Sequence, residues 1–396
     1  MVGAYTVDDL PDEILSKVSR GLTYTSDEGL PKPDVASSWE IKNGGKEYVF
    51  HLKDNIYFNN GDKLDSNSVN YDFLDVTEER PDKKTLVFKL KDSYSPFLTT
   101  VSRPIFKKNF IGLVGLGDYK IKNINLNGNF VQSIDLVSKN SDYQIISYQM
   151  YPTEDALKMA YILGEITKAK GLTDIRYDGS SFANYKNTDV IKYVDKNTLV
   201  TLFYNTQDPV LSDKKLRDAL TYATPDEFEN GNRAYSPFSS RFWGNTNTIS
   251  EYQQDFDHSI KLLEVPKDQK PSEIKVTMKV LGKYIDIAEK LKEEYKKIGV
   301  TVTIEQVDSL PQTFQMFLGD FTVPKDPDQY TLWHSNQPNN ITKYKNLRID
   351  KLLEDGRKEV DIGGRQKIYS DFEKYLLDDS PATFLYFPYK YDLHRK

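Results

Sequence analysis

The stretch IKVTMKVLGKYIDIAEKLKEEYKKIGVTVTIEQV, Ile274 to Val307, changes its hydrophobic period twice. Ile274, Val276, Met278 and Val280 alternate with Lys275, Thr277 and Lys279, the period of a strand with one buried face. From Tyr284 the spacing turns helical, with Ile287, Ala288, Leu291, Tyr295 and Ile298 on one side. Lys296 and Lys297 fall in the last turn, where the negative end of the helix dipole favours cations, and Gly299 follows as the stop. Val300, Val302 and Ile304 then alternate again. Strand, helix and strand in so short a span require a crossover between parallel strands, which makes this region an α/β domain.

The segment from Gln144 to Leu172 follows similar logic. An apolar strand around Ile145 and Ile146 precedes YPTEDALKMAYILGEI, in which Thr153 is the N-cap, Glu154 and Asp155 occupy the first turn, and Gly164 ends the helix. A second α/β lobe is therefore expected. Further helices are predicted over Ser212–Thr224 and Gly364–Asp378 from the spacing of Leu216, Ala219, Leu220 and Ala223 and of Ile368, Phe372, Tyr375 and Leu376. The first third reads instead as short strands separated by Asn43-Gly44-Gly45 and Asn59-Asn60-Gly61. KEYVFHLKDN at Lys46 resembles KTLVFKLKDS at Lys84, a likeness that two alternating strands produce without a true internal repeat.

At 396 residues the chain is long enough for two or three domains. Fifty-three basic side chains against 59 acidic ones give a net charge of −6, with none of the basic excess that nucleic acid or anionic lipid requires. Aromatic residues at 13% argue for a folded chain with ample core. There is no cysteine, which excludes disulfides, thiolate metal sites and cysteine nucleophiles. No apolar run approaches the roughly 20 residues of a membrane helix. The opening MVGAYTVDDLPDEI lacks a basic and then apolar leader, which leaves a cytoplasmic protein or one whose signal segment has been removed.

Catalytic and metal motifs are missing. His51, His258, His334 and His394 have no HExxH spacing, and neither GxSxG nor GxxxxGK[ST] occurs. Gly112, Gly115 and Gly117 are wrongly spaced for a dinucleotide loop and read as a turn. No pair of carboxylates stands out as an acid and base. What does stand out is AYSPFSSRFWG around Trp243 and DPDQYTLWHSNQPNN around Trp333, where aromatic and amide side chains sit among turn residues as in a ligand-facing loop. The alternatives are that both tryptophans plug the core and that Asp326 before Pro327 only forms a turn.

Several stretches together resemble the extracellular solute-binding proteins of family 5, the oligopeptide, dipeptide and nickel receptors of ABC importers. They are GLPKPDVASSWEIKNGGKEYVFHLKDNIYFNNGDKLDSNSVNYDF from Gly29, GLGDYKI from Gly115, PTEDALKMAYILGEI from Pro152, TLFYNTQDPVLSDKKLRDALTYA from Thr201 and NLRIDKLLEDGRKEVDIGGRQKIYSDFEKYLLDDSPATFLYFP from Asn346. The resemblance implies a two-lobed α/β fold of the type II periplasmic-binding-protein kind, with mixed sheets flanked by helices, hinge strands and a ligand cleft between the lobes. It implies a first lobe over 1–200, with an extra subdomain shortened to about 67–91. A second lobe follows over 201–370, and 371–396 return to the first. It implies a monomeric, non-enzymatic receptor outside the membrane, periplasmic or lipid-anchored, that hands peptides or similar solutes to an ABC permease without a cofactor or metal centre. A ligand sensor and a carboxylate-based hydrolase are the alternatives.

Arg103, Tyr204, Asn205, Trp243, Asp326, Tyr330, Trp333, His334 and Asn340 are the residues expected to bind ligand, with opening and closing about the strands near Thr201–Thr206. Three features depart from the family pattern. Asn67–Lys91 is short, and the chain stops soon after the returning strand, at YKYDLHRK. Val323 stands where peptide receptors place an amine-binding Asp, with Asp320 and Asp326 as the possible substitutes.

Overall fold

The computed structural model describes residues 1–107, 113–141, 143–238, 243, 253–264 and 274–396. Gly112, and residues 239–242 and 244 around Trp243, lie outside them. The chain divides into two compact units, Met1–Tyr193 with Lys358–Val360 and Lys390–Lys396, and Val194–Arg357 with Asp361–Tyr389. The helix Ile362–Asp379 and most of the last strand thus pack with the second unit. The reason is apolar: Tyr369, Phe372, Leu376 and Phe384 share a core with Leu199, Phe203 and Phe317.

In the first unit, a four-stranded antiparallel sheet runs in the order Ala36–Lys42, Glu47–Leu52, Thr85–Leu90, Val76–Asp82. The two look-alike stretches are neighbours in it, with Tyr48 opposite Phe88 and Phe50 opposite Leu86. Their likeness follows from pairing, because both strands put alternate aromatic and aliphatic side chains into one core with Phe97. A second antiparallel sheet joins Tyr119–Asn127, Phe130–Ser138 and Ile145–Gln149. The helix Glu154–Leu163 is capped as the sequence suggests: Thr153 accepts from the Ala156 amide at 3.1 Å, and Gly164 is left-handed at φ 81°. The strands on either side of it do not pair with each other. Ile145–Gln149 joins the antiparallel sheet, whereas Lys168–Leu172 pairs with the last strand, Ala382–Arg395. The Gly115 and Gly117 turn runs so close to the end of the helix Asp12–Val18 that a Cβ on Gly117 would lie 2.1 Å from the Lys17 carbonyl oxygen.

The second unit contains the predicted crossover. Ile274–Leu281 lies parallel to both Val300–Val307 and Met316–Thr322, and the helix Ile285–Lys296 connects the first two. Thr198–Tyr204 is antiparallel to Met316–Thr322 on one side and to the last strand on the other. Of the stretch near Thr201–Thr206, expected from sequence as the hinge, Thr201–Phe203 is paired on both edges within this sheet. Leu199–Tyr204 is buried at every position because the sheet is covered twice. Val200, Leu202 and Tyr204 face the helices Lys214–Tyr222 and Ile285–Lys296, while Leu199 and Phe203 face Trp333 and the helices Leu347–Lys358 and Ile362–Asp379.

Polar groups trapped under the first cover are satisfied internally. Tyr204 and Thr383 share a hydrogen bond of 2.7 Å, Thr383 and Thr221 one of 2.6 Å, and Thr224 and Tyr295 one of 3.2 Å. Arg217, buried on the helix Lys214–Tyr222, donates from Nε to the Ser380 carbonyl at 2.9 Å and from Nη2 to Asp379 at 2.7 Å. Its Nη1 donates to Leu211 and Ser212 at 2.8 and 3.1 Å. One guanidinium thereby closes the carbonyl end of the Ile362–Asp379 helix and the turn into its own helix. Arg217→Ala is expected to cost about 2–4 kcal/mol of unfolding free energy, read from urea denaturation, with Arg217→Lys recovering only part of it.

Candidate functional site

Ligands of open α/β sheets collect outside the carboxyl ends of the parallel strands, where the loops diverge. In the second unit a cavity of about 400 Å³ lies at that position. Leu281 ends one strand, Asp308, Ser309 and Leu310 follow the next, and Asp320 and Phe321 belong to the end of the third. Phe203 and Phe317, stacked with centroids 6.1 Å apart, form the sheet side. The remaining wall is one loop, through Leu332, Trp333, Pro338, Asn339, Ile341 and Thr342. Asp320, which lines the cavity, pairs with Lys283 at 2.5 Å and accepts from the Tyr284 hydroxyl. Burial, together with that carboxylate, holds the Tyr284 phenol well above its ordinary pKa.

The loop is fixed from behind by two ion pairs. Arg365 grips Asp326 with two hydrogen bonds of 2.6 and 3.0 Å, both side chains buried. Arg357 bonds Asp328 at 2.8 Å and lies 3.9 Å from the centre of the Tyr330 ring. Burial pushes the Asp328 carboxyl up against the opposing pull of Arg357. Tyr330 packs on His334 at 4.2 Å. Nδ1 of His334 accepts from the Asn336 amide at 3.2 Å, which leaves Nε2 to donate toward Glu354 at 3.5 Å. Asn340 donates to the Tyr344 carbonyl at 2.8 Å, and Trp333 Nε1 donates to Gln329 at 2.8 Å.

Of the nine residues singled out from sequence, Trp333 lines the cavity, with 2% of its surface exposed. Asp326, Tyr330, His334 and Asn340 lie in the same loop and brace it through the contacts just described. Tyr204 points to the opposite face of the sheet, in the hydroxyl network, and Asn205 donates to the Phe314 carbonyl at 3.0 Å. The Trp243 carbonyl accepts from Gln366 at 2.9 Å, and its ring lies 5.4 Å from the Arg365 guanidinium. Arg103 is exposed in the first unit. Val323 is hydrogen-bonded through its amide to Asn197 at 2.8 Å. The sequence reading passed over Phe203, Leu281, Asp308, Phe317, Phe321, Leu332 and Ile341, although the last residues of alternating strands were a signal for several of them.

A cavity walled by apolar side chains at the carboxyl ends of parallel strands defines a small-molecule binding protein of the α/β class. The profile of "Bacterial extracellular solute-binding proteins, family 5 Middle" matches residues 31–343, and the chain belongs to that family. It is an ABC transporter substrate-binding protein, a non-enzymatic receptor that binds a small solute and works with the transporter. The oligopeptide-binding protein AppA of Bacillus subtilis is 24% identical over 97% of this chain and 83% of its own length. The substrate-binding protein CtaP of Listeria monocytogenes is similar in fold, with a TM-score of 0.80 and 22% identity over 96% of this chain and 88% of that one. NikZ of Campylobacter jejuni, solved with Ni(L-His), gives 0.77 and 20% over 96% and 89%. Among the described residues, no helix is long and apolar enough to cross a membrane, and no three His, Cys, Asp or Glu side chains are grouped to hold a metal ion.

Removing one partner of a buried ion pair leaves the other charge without compensation. Asp326→Ala is expected to cost about 3–5 kcal/mol in urea denaturation, and adding Arg365→Met should recover much of that loss. Glu373, on the same helix as Arg365, is fully buried. Burial raises its pKa from 4.5 to about 7, against a small opposing effect of the Ser236 hydroxyl. The fold therefore favours the protonated form. The associated stability, on the order of 3 kcal/mol, is complete below pH 4.5 and is lost as the pH rises through about 7. Thermal unfolding across that window should show the decline in the native chain and a flatter profile in Glu373→Gln.

Proposed function

We propose that the solute is a peptide, captured as the two units close on it and then delivered to the permease. The observation that carries this reading is the apolar wall of the second unit's cavity, formed by Phe203, Phe317, Phe321, Leu332, Trp333 and Ile341. Such a surface gains free energy from an organic side chain and nothing from a hydrated ion. The names of relatives support it: AppA of Bacillus subtilis is called oligopeptide-binding. Trp333 is the aromatic anchor in this reading, and Asp326, Tyr330, His334 and Asn340 keep it in place. Arg103 is the contribution from the first unit, with Trp243 and Asn205 as supporting positions, whereas Tyr204 serves the core on the other face of the sheet.

Native mass spectrometry of freshly purified protein is expected to show a co-purified peptide mass, and calorimetric titration with a peptide mixture should give saturable heat. Retention of nickel–histidine with no peptide binding would assign the protein to the metal-complex branch instead.

A further inference from the structure

We propose that Asn43 is a site of self-modification, at which the exposed turn Asn43-Gly44-Gly45 converts its asparagine to aspartate and isoaspartate. The chain holds four Asn-Gly pairs, beginning at Asn43, Asn60, Asn127 and Asn230, in which the second residue puts no side chain in the way of an attack by its own nitrogen. In the reaction the Gly44 amide gives its proton to hydroxide, and its nitrogen bonds to Cγ of Asn43. The Cγ–Nδ2 bond breaks, and the side-chain nitrogen leaves as ammonia with a proton from water. One water molecule then opens the cyclic imide at either carbonyl and leaves a carboxylate. Water is the co-reactant, and nothing is oxidised or reduced.

Backbone geometry separates the four sites, because attack needs a nitrogen without a hydrogen bond and a backbone free to rotate. At Asn60 the nucleophile is tied up, since the Gly61 amide donates to the Phe58 carbonyl at 2.9 Å. Gly231 is buried in a strand paired with Ala382–Arg395, and a Cβ there would lie 2.0 Å from the Tyr386 ring, so the chain has no room to pivot. Asn127 is held extended by its pairing with Phe130. Asn43 lies outside the strands Ala36–Lys42 and Glu47–Leu52 that it joins, at φ 53°, and is followed by Gly44 at 63° and Gly45 at 87°. Among the described residues the Gly44 amide donates to no protein acceptor, and nothing lies within 4 Å of the place its Cβ would occupy. Nδ2 of Asn43 donates to the Glu47 carboxylate at 2.9 Å. Conversion therefore sets a second carboxylate against Glu47, and the isoaspartate product adds one carbon to the main chain of the turn. The Gly44 carbonyl accepts from Ser93 Oγ at 2.6 Å and the Gly45 carbonyl from the Tyr94 amide at 3.3 Å, so these two anchors loosen with it.

The test incubates the full chain at neutral and at mildly alkaline pH, native and in urea, and maps its peptides by mass spectrometry for a gain of about 1 Da. Labelling with an isoaspartyl methyltransferase separates isoaspartate from aspartate. In the native chain Asn43 should convert about tenfold or more ahead of Asn60, Asn127 and Asn230, and faster at the higher pH, whereas in urea the four rates should converge. Asn43→Gln should remove the mass gain from that peptide. Gly44→Ala should slow Asn43 about tenfold or more in urea as well as in the native chain, a result that does not depend on how the variant folds. Equal rates at all four sites in the native chain, a lead by any of the other three, or a native Asn43 that stays intact while the urea sample reacts would overturn the assignment.

Discussion

A sheet buried on both faces must satisfy two covers at once, and the second unit is organised by that demand. Along Leu199–Tyr204 each side chain goes to one cover or the other. The helices Lys214–Tyr222 and Ile285–Lys296 close one face with aliphatic packing and a buried chain of hydroxyls. The other face is closed by the two C-terminal helices and by a loop that starts at Asp326. Helices cover the middle of such a sheet well and its strand ends poorly. The cavity occurs where that second cover passes from helix to loop, so its position follows from the architecture rather than from any single residue.

Much of this was legible in the sequence, and what was hidden had a physical reason. The change of period around Tyr284 and again at Val300 announced two parallel strands and their helix, because each element has one uniform environment along its length. Thr153 and Gly164 were readable because capping is local. The partners of Asp326 and Asp328 were not readable. Arg365 is 39 positions from the first and Arg357 is 29 from the second, and no local pattern signals such a pairing. The cavity walls were hidden for the same reason, since Phe203, Leu281, Phe317 and Leu332 come from separate segments and each looks like core. Trp333 was found through its chemistry, whereas Tyr204 belonged to a strand whose side chains alternate away from the cavity.

The loop that carries Trp333 is held by charge pairs on its far side as well as by the packing of Trp333, Leu332 and Ile341 on the core. Asp326 with Arg365 and Asp328 with Arg357 fix its backbone, and Asn340 ties its end to Tyr344. With Asp326, Asp328 and the Trp333 indole N–H satisfied from behind, the loop presents Leu332, the Trp333 ring and Ile341 toward the cavity. A receptor gains from this arrangement, because a wall already in place loses little conformational entropy when a solute arrives.

The last strand, Ala382–Arg395, has a consequence for how the chain is made. It follows its partners by a long stretch of chain, yet Val200 pairs with Tyr386 in one unit and Lys168 pairs with His394 in the other. Neither sheet can be completed until Ala382–Arg395 has been synthesised, and both pairings close loops of well over a hundred residues. Folding during synthesis therefore stops short of the native state. For a member of an extracellular family, a chain whose two sheets stay open until this strand arrives can be threaded across a membrane before they are sealed.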